Sequence, residues 1–168
     1  LYHLKKPVTC IFTREESYRM TAKRHPLKMV FKTGADKNGR LMAMTAKIIC
    51  DTGAYGSYGL AVASRAPVHA TGPYEMDHVD VEALCVYTNN PFAGAMRGFG
   101  VPQAAFAHES QMDLLAEALH MDPLEIRRVN ALKTGSRTAT RQTLQESVGI
   151  GQCLDAVGPH YEKAMKDW

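Results

Sequence analysis

The sequence predicts an α+β fold, in which an antiparallel or mixed sheet packs against helices. Four runs before residue 92 are rich in β-branched and apolar residues, as strands are. They span residues 7–13, 27–33, 40–51 and 77–87. Three later stretches repeat apolar residues at helical spacing, and a length of 168 residues suits one domain. We therefore expect residues 1–92 to be mainly strands with one helix, and residues 93–168 to be mainly helical.

The ends of these runs carry turn and cap signals. Asp36 to Gly39 is a turn cluster between the second and third runs, in which Asn38-Gly39 supplies the positive φ angles of a hairpin. Arg14 to Glu16 begins a short helical turn after the first run. Polar and apolar residues alternate in the fourth run, so one of its sides is expected to face the core. The residues on that side are Val79, Val81, Ala83 and Cys85.

A glycine- and tyrosine-rich segment, residues 52–59, follows the third run and is interpreted as an exposed or site-lining loop. A helix is expected next, over residues 60–69. Arg65 lies in its middle among apolar neighbours, where a charge is costly unless the guanidinium reaches a partner or a cavity. Two interpretations stay open: a functional arginine, or one that extends to the surface or pairs with a carboxylate.

Three helices are expected after residue 100. Pro102 suits the first turn of the longest one. Its apolar stripe consists of Phe106, Met112, Leu115 and Leu119. Asp122 is expected to cap the second helix, with Glu125 completing a capping box and residues 133–135 ending the helix. The third helix covers residues 151–168. The residues on or near its apolar side are Cys153, Leu154, Val157, Tyr161 and Met165.

Composition argues against several classes of partner. The formal net charge is +3 and no basic run is interleaved with aromatic residues, so nucleic acid is not an expected partner. No apolar stretch approaches the length of a membrane span and no signal peptide opens the sequence, which favours a cytoplasmic protein without a membrane partner. Because no initiator methionine is present, we expect either a piece cut from a longer protein or a naturally truncated subunit.

The four cysteines argue against a metal cluster. They are far apart and form no C-x-x-C pair, so iron–sulfur or zinc ligation and a disulfide scaffold are not expected. Three of them lie in strand-like apolar runs and are expected to be buried free thiols. These are Cys10, Cys50 and Cys85. The seven histidines include no H-x-x-x-H pair that would suggest a metal site.

The most informative stretch is AMRGFGVPQ at residues 95–103. Arg97 and Phe99 alternate with Gly98 and Gly100, and glycine allows a backbone to come very close to another group because it has no Cβ. Amides just before a helix also form a natural seat for an anion. Two interpretations stay open: a loop built to touch a ligand, or a tight strand-to-helix turn with a surface arginine.

This stretch and several others together resemble one family. They are KPV at 6–8, TREE at 13–16, RHP at 24–26, AMRGFGVPQ at 95–103, MDLLAE at 112–117 and MDPLEIRRVNAL at 121–132. In this order they are similar to the molybdenum hydroxylases, a family that includes xanthine dehydrogenase, aldehyde oxidoreductase and nicotinate dehydrogenase. The resemblance covers nearly the whole chain. It implies that residues 1–168 are a central, partial section of the molybdopterin-binding domain.

The resemblance implies roles for four residues. Arg97 and Gly98 match the loop that runs beside the molybdenum and its pterin. Phe99 matches an aromatic residue that stacks on a flat substrate or walls it in. Arg65 precedes Arg97 by 32 positions, the spacing at which xanthine-oxidising members carry a substrate-orienting arginine. A guanidinium in a dry cavity can stabilise charge that develops on a heterocycle. No side chain of this chain is implied as a metal ligand.

The implied activity is oxidation of an N-heterocycle or an aldehyde with water as the oxygen source. The implied cofactor is molybdenum-molybdopterin in its cytosine dinucleotide form. The implied partners are the rest of the subunit and iron–sulfur and FAD domains or subunits. The family's glycine-rich cofactor stretch and its base glutamate are not in this sequence, and Arg141-Gln142 stands where relatives tend to have Gly-Gln. We therefore expect the chain alone to be inactive and to hold no cofactor.

Two other classes of function stay open. The chain is then either a non-catalytic folded module that packs against the rest of its subunit, or a binding protein for flat heterocycles that uses Phe99 and Arg65 alone. Metal analysis of the isolated chain addresses the first. Titration with purines or nicotinate addresses the second.

Overall fold

A computed structural model describes residues 1–167 and contains five helices and a mixed three-stranded sheet. The expected α+β class is confirmed. The helices are α1 (Arg14–Met20), α2 (Gly59–Val68), α3 (Val101–Leu119), α4 (Pro123–Asn130) and α5 (Ile150–Asp167). The strands are β1 (Leu27–Ala35), β2 (Leu41–Gly53) and β3 (His78–Tyr87). The last residue of the expected final helix, Trp168, lies outside the described residues.

The predicted hairpin is present as the antiparallel pair β1–β2. In its turn Gly39 alone has a positive φ, of 81°, so the expectation of a positive φ at Asn38 was wrong. The side chain of Asp36 explains the difference. Its Oδ1 accepts hydrogen bonds from the backbone N–H groups of Asn38 and Arg40, at 2.8 and 2.9 Å, which closes the turn with one left-handed residue.

Strand β3 pairs with β2 in parallel, so the sheet order is β1-β2-β3 and α2 lies in the crossover. The expected alternation in β3 is confirmed, because Val79, Val81, Ala83 and Cys85 are half-buried while the residues between them are exposed. Helix α2 packs on the sheet through Val62, Ala63 and Ala66, all of them buried. The crossover therefore holds one face of α2 against β2 and β3.

Helices α3 and α4 close a second part of the core. Its buried side chains are Leu41, Tyr74, Met112, Ala116 and Ile126. Asp122 caps α4 as expected, accepting from the N–H groups of Leu124 and Glu125 at 2.8 and 3.0 Å. The Glu125 carboxylate lies 3.9 Å from Arg128, and the reciprocal half of the expected capping box is not formed.

The first expected strand was wrong. Residues 7–13 form no ladder with any part of residues 1–167. Ile11 is 87% exposed, and Cys10 is exposed instead of buried. A strand needs a neighbour for its backbone groups and a surface on which to bury its side chains, and the described chain supplies neither. A capping box at Thr13 starts α1, so two helices, not one, precede residue 93.

Two helical faces also differ from the expectation. In α3 the buried residues are Ala104, His108, Met112 and Ala116, a spacing of four. Phe106 lies on the opposite side and is 75% exposed. Among the described residues of α5 only Gly158 is buried, and Val157 and Met165 on the expected apolar side are exposed. Helix α4 ends at Asn130 and not at residues 133–135.

Candidate functional site

The loop of residues 95–100 connects β3 to α3 through an uncommon backbone. Gly98, Phe99 and Gly100 have φ values of 88°, 52° and 98°. Two internal hydrogen bonds close the turn, from Phe99 N to Met96 O at 2.8 Å and from Val101 N to Gly98 O at 2.9 Å. Three consecutive left-handed residues are costly for the one that is not glycine. The surroundings of the loop must therefore hold it in place.

The two glycines are required by the chain itself. A Cβ on Gly98 would lie 2.5 Å from Cγ of Pro102, the first proline of α3. A Cβ on Gly100 would lie 2.9 Å from the carbonyl oxygen of Val62 in α2. The close approach that the sequence indicated is thus an approach to Pro102 and Val62. It joins the loop to the helix that carries Arg65.

The outer side of the loop is rich in hydrogen-bond donors. Residues 95–98 are exposed, and their backbone N–H groups donate to no acceptor within residues 1–167. The guanidinium of Arg97 is exposed beside them and forms no ion pair with that part of the chain. Such a set of amides and one fixed cation fits a ligand that presents several acceptor oxygens or nitrogens, as a pterin or a phosphate does.

Arg65 lies in α2, the helix that this loop contacts at Val62 and Ala66. Val62 and Arg65 are three residues apart in α2, and Val62 is buried while Arg65 is exposed. The loop touches the helix at Val62 through Gly100. The Arg65 side chain is exposed and has no ion-pair partner in the described part of the chain. This exposure agrees with the interpretation that Arg65 extends to the surface, and no carboxylate within residues 1–167 pairs with it.

Phe99 meets an aromatic residue that the sequence did not single out. Its ring and that of Tyr58 lie edge to face, with centroids 6.1 Å apart and planes at 69°. Tyr58 is 59% exposed. Its position in the glycine- and tyrosine-rich segment was the available signal. The two rings form an aromatic wall between the start of α2 and the loop, in which Tyr58 is exposed and Phe99 half-buried.

The strand ends beneath the loop are fixed by Asp51. Its carboxylate accepts hydrogen bonds from Thr88 Oγ1 and Asn90 Nδ2, both at 2.6 Å, and from the backbone N–H of Gly53 at 2.8 Å. These hydrogen bonds lower the pKa of Asp51, and the one from Thr88 has the largest effect, followed by the one from Asn90. Asp51 therefore ties the end of β2 to the segment that leads from β3 into the loop.

The described residues contain neither a metal-holding cluster nor a membrane-spanning helix. No group of three or more His, Cys, Asp or Glu within residues 1–167 is placed to hold a metal ion. None of the helices in that range is both long and apolar enough to cross a membrane. Arg97, Gly98 and Phe99 lie in one loop, and Arg65 lies in the helix that this loop contacts at Val62.

The sequence and the fold were compared with known proteins. Residues 2–131 match the family model described as "Molybdopterin cofactor-binding domain". The chain belongs to this family. The relationship expected from the motifs, to the molybdenum hydroxylases, is confirmed, and the cofactor of this family is molybdenum-molybdopterin.

Individual relatives cover most of this chain. It is 54% identical over 154 residues to the nicotinate dehydrogenase large molybdopterin subunit of Eubacterium barkeri, covering 92% of this chain and 36% of the relative. It is 43% identical over 152 residues to a probable xanthine dehydrogenase subunit of Bacillus subtilis, covering 90% and 20%. The aldehyde oxidoreductase structure from Desulfovibrio gigas superimposes with a TM-score of 0.87 at 33% identity, covering 93% and 17%. The chain therefore spans about a third or less of the length of these relatives.

Proposed function

We propose that this chain forms one wall of the molybdenum site of a hydroxylase that oxidises an N-heterocycle with water as the oxygen source. The observation that carries the proposal is the packing of Gly100 on Val62. This contact places the helix of Arg65 against the loop of Arg97 and Phe99. In the proposal, these two packed elements carry a cation for the substrate, an aromatic wall and a donor-rich loop.

Each residue has a role in this proposal. The free amides of residues 95–98 and the Arg97 guanidinium bind acceptors of the cofactor, which supplies the oxygen-transfer and electron-accepting chemistry when bound. Phe99 and Tyr58 hold a flat ring by edge and face contacts. Arg65 orients the substrate and stabilises negative charge that develops on its oxygen or nitrogen. The base that accepts the proton lies outside these residues.

The substrate class follows from the charge and shape of the wall. An exposed arginine in the helix that contacts the loop of Phe99 favours a heterocycle with an oxo or carboxylate group over a simple aldehyde. The name of the nicotinate dehydrogenase relative, at 54% identity, supports this choice. Aldehyde oxidation is the alternative, supported by the aldehyde oxidoreductase structure.

The remaining expectations belong to the same proposal. Residues 1–168 form a central section of the domain, and the partners are the rest of the subunit with iron–sulfur and FAD domains or subunits. The relative from Eubacterium barkeri is itself a large subunit, which supports an assembly of several chains. The bacterial relatives support the cytosine dinucleotide form of the cofactor. A cytoplasmic location also stays a prediction.

The test is Arg65→Ala in the complete enzyme. We expect kcat/KM for the heterocycle to fall by about 100-fold, because the lost interaction is one with developing charge, while molybdenum content stays normal. Lys28→Ala, an exposed lysine in β1, is the control and should leave both unchanged. Loss of molybdenum together with activity would make Arg65 a structural residue and contradict the proposal.

The isolated chain tests the heterocycle-binding alternative. The isolated 168-residue chain should contain no stoichiometric molybdenum in either case. It should also fail to bind nicotinate or purines with saturation, since the proposal needs the other walls of the site. Saturable binding by the isolated chain would instead support a free-standing heterocycle-binding protein.

A further inference from the structure

Residues 23–25 form one hydrogen bond with the 95–100 loop and one with the chain on either side of it. The backbone N–H of Gly94 donates to Lys23 O at 2.9 Å. Arg24 Nη2 donates to Arg97 O at 2.8 Å. Gln103 Nε2, in the first turn of α3, donates to His25 O at 3.0 Å. The bond from Arg24 is the one that reaches the ligand-facing part of the loop.

We propose that Arg24 is a positioning residue that fixes the peptide group between Arg97 and Gly98 with its N–H outward. In a trans peptide the C=O and the N–H point in opposite directions. Because Arg24 holds the carbonyl oxygen of Arg97, the N–H of Gly98 points away from Arg24. That N–H is one of the free donors on the outer side of the loop. The inference rests on the proposed function only for its kinetic consequence.

The loop needs stabilising contacts from outside it, because the intrinsic backbone preferences of its residues do not favour the observed conformation. Gly98 adopts left-handed and right-handed backbone conformations at similar cost, so it does not resist rotation of the preceding peptide group. The positive φ of 52° strains the backbone of Phe99, so its conformational energy falls when it leaves that region. A charge-assisted hydrogen bond from a guanidinium is strong enough to oppose such a rotation.

The surroundings of Arg24 restrict where its guanidinium can go. Nη1 is buried and has no hydrogen-bond partner within residues 1–167, and it lies 3.9 Å from the position of a Cβ on Gly98. The next residue, His25, is 2% exposed. Burial lowers its pKa, and this effect exceeds the opposing ones of Asp51 and the Gly94 backbone. A neutral, buried His25 anchors the segment from which Arg24 extends.

The test compares Arg24→Met with Arg24→Lys by amide hydrogen exchange of the full 168-residue chain. Met keeps the length of the side chain and removes every donor, while Lys retains one donor. For Arg24→Met we expect exchange at Phe99 and Val101, whose N–H groups close the turn, to rise at least about tenfold, the size of one charge-assisted hydrogen bond. Arg24→Lys should give a smaller rise.

Two internal controls make the result decisive. Exchange at Ile48, buried in the middle of β2, should stay unchanged and shows that the fold is intact. Arg19→Met, at an exposed arginine in the last turn of α1, should leave the loop unchanged. Exchange at Phe99 and Val101 that stays within about twofold of the unsubstituted chain would overturn the positioning role.

A second readout separates this inference from the proposed function. In the complete enzyme, Arg24→Met should lower kcat/KM by about tenfold with Arg24→Lys partly restoring it, since a rotated peptide group removes one donor from the site. If Arg24→Met speeds exchange in the loop but leaves kcat/KM unchanged, Arg24 positions the loop and the proposed site is contradicted. An unchanged loop with altered kinetics would overturn the inference and leave the proposed function standing.

Discussion

Gly100 at the start of α3 lies directly against Val62 of α2. A Cβ on Gly100 would be 2.9 Å from the Val62 carbonyl oxygen and 3.3 Å from its Cγ1. The backbone of α2 cannot retreat easily, because Val62 is buried on the sheet. This contact sets the distance between the helix that carries Arg65 and the loop that carries Arg97.

Gly100→Ala should therefore destabilise the chain more than its backbone angle alone requires. Strain at a φ of 98° costs about 1–3 kcal/mol, and crowding against Val62 adds to it. Gly135→Ala is the matched control, because Gly135 has a φ of 90° and no atom within 4 Å of an added Cβ. The difference between the two variants in free energy of unfolding, measured with urea, gives the contribution of the crowding. Equal losses of free energy in both variants would show that α2 and the loop do not constrain each other.

Asn130 connects α4 to the hairpin turn. Its Oδ1 accepts from Leu41 N, and its Nδ2 donates to Gly39 O and Ile126 O, all at 2.8 Å. Asn130 is 2% exposed, so Asn130→Ala would leave buried backbone groups without partners. We expect the free energy of unfolding to fall by about 2–4 kcal/mol in urea denaturation. Asn38→Ala, at an exposed asparagine in the same turn, should change it by less than about 0.5 kcal/mol.

Local signals in the sequence predicted the elements that depend on local chemistry. The turn at Gly39, the Asp122 cap and the alternation in β3 each follow from residues within a few positions of one another. The burial of Cys50 was also predicted from local sequence, because it lies in an apolar run. It is 0% exposed, and burial followed by the proximity of Cys85 raises its pKa to about 12, as for an inert core thiol.

What the sequence could not predict depends on distant neighbours. Residues 7–13 have strand composition, yet pairing requires a second strand that the described chain does not place there. Phe106 and Met112 are six residues apart, so their side chains point about 120° from each other around the helix, and Phe106 did not belong to the stripe that the sheet and α4 bury. The contact of Tyr58 with Phe99 joins positions 41 apart in the sequence. The glycines beside Phe99 mark an unusual backbone, but its left-handed conformation also depends on Gly100 packing against α2, which is distant in the sequence.

Glu109 makes stability depend on pH at the acid end. Burial would raise its pKa, but His108, Tyr74 and Arg127 more than offset this and lower the pKa from 4.5 to about 2. Tyr74 Oη donates at 2.8 Å and Arg127 Nε at 2.9 Å. Since the folded pKa is depressed, the stabilisation is complete above the unfolded value and is lost as the pH falls.

We expect the free energy of unfolding to decline between about pH 4.5 and pH 2 through Glu109. Glu109→Gln should flatten that decline and lower stability at neutral pH, measured by urea unfolding across the range. Glu117→Gln is the control, at an exposed glutamate of α3 without an ion pair in the described part of the chain. A Glu109→Gln profile parallel to that of the unsubstituted chain would show that this network does not govern acid stability.

Phe99 allows its folding role to be separated from its proposed substrate role. Phe99→Gly removes a side chain from a residue with a φ of 52°, which relieves roughly 1 kcal/mol of strain and offsets the lost contact with Tyr58. Stability should therefore change by less than about 1 kcal/mol, whereas KM for the heterocycle in the complete enzyme should rise about tenfold. Phe106→Gly is not a suitable control because Phe106 lies inside α3. The control is Phe99→Tyr, which should leave both the stability and the KM unchanged. A normal KM in Phe99→Gly would remove Phe99 from the substrate wall. A large loss of stability with a normal KM would make its ring a packing element of the loop.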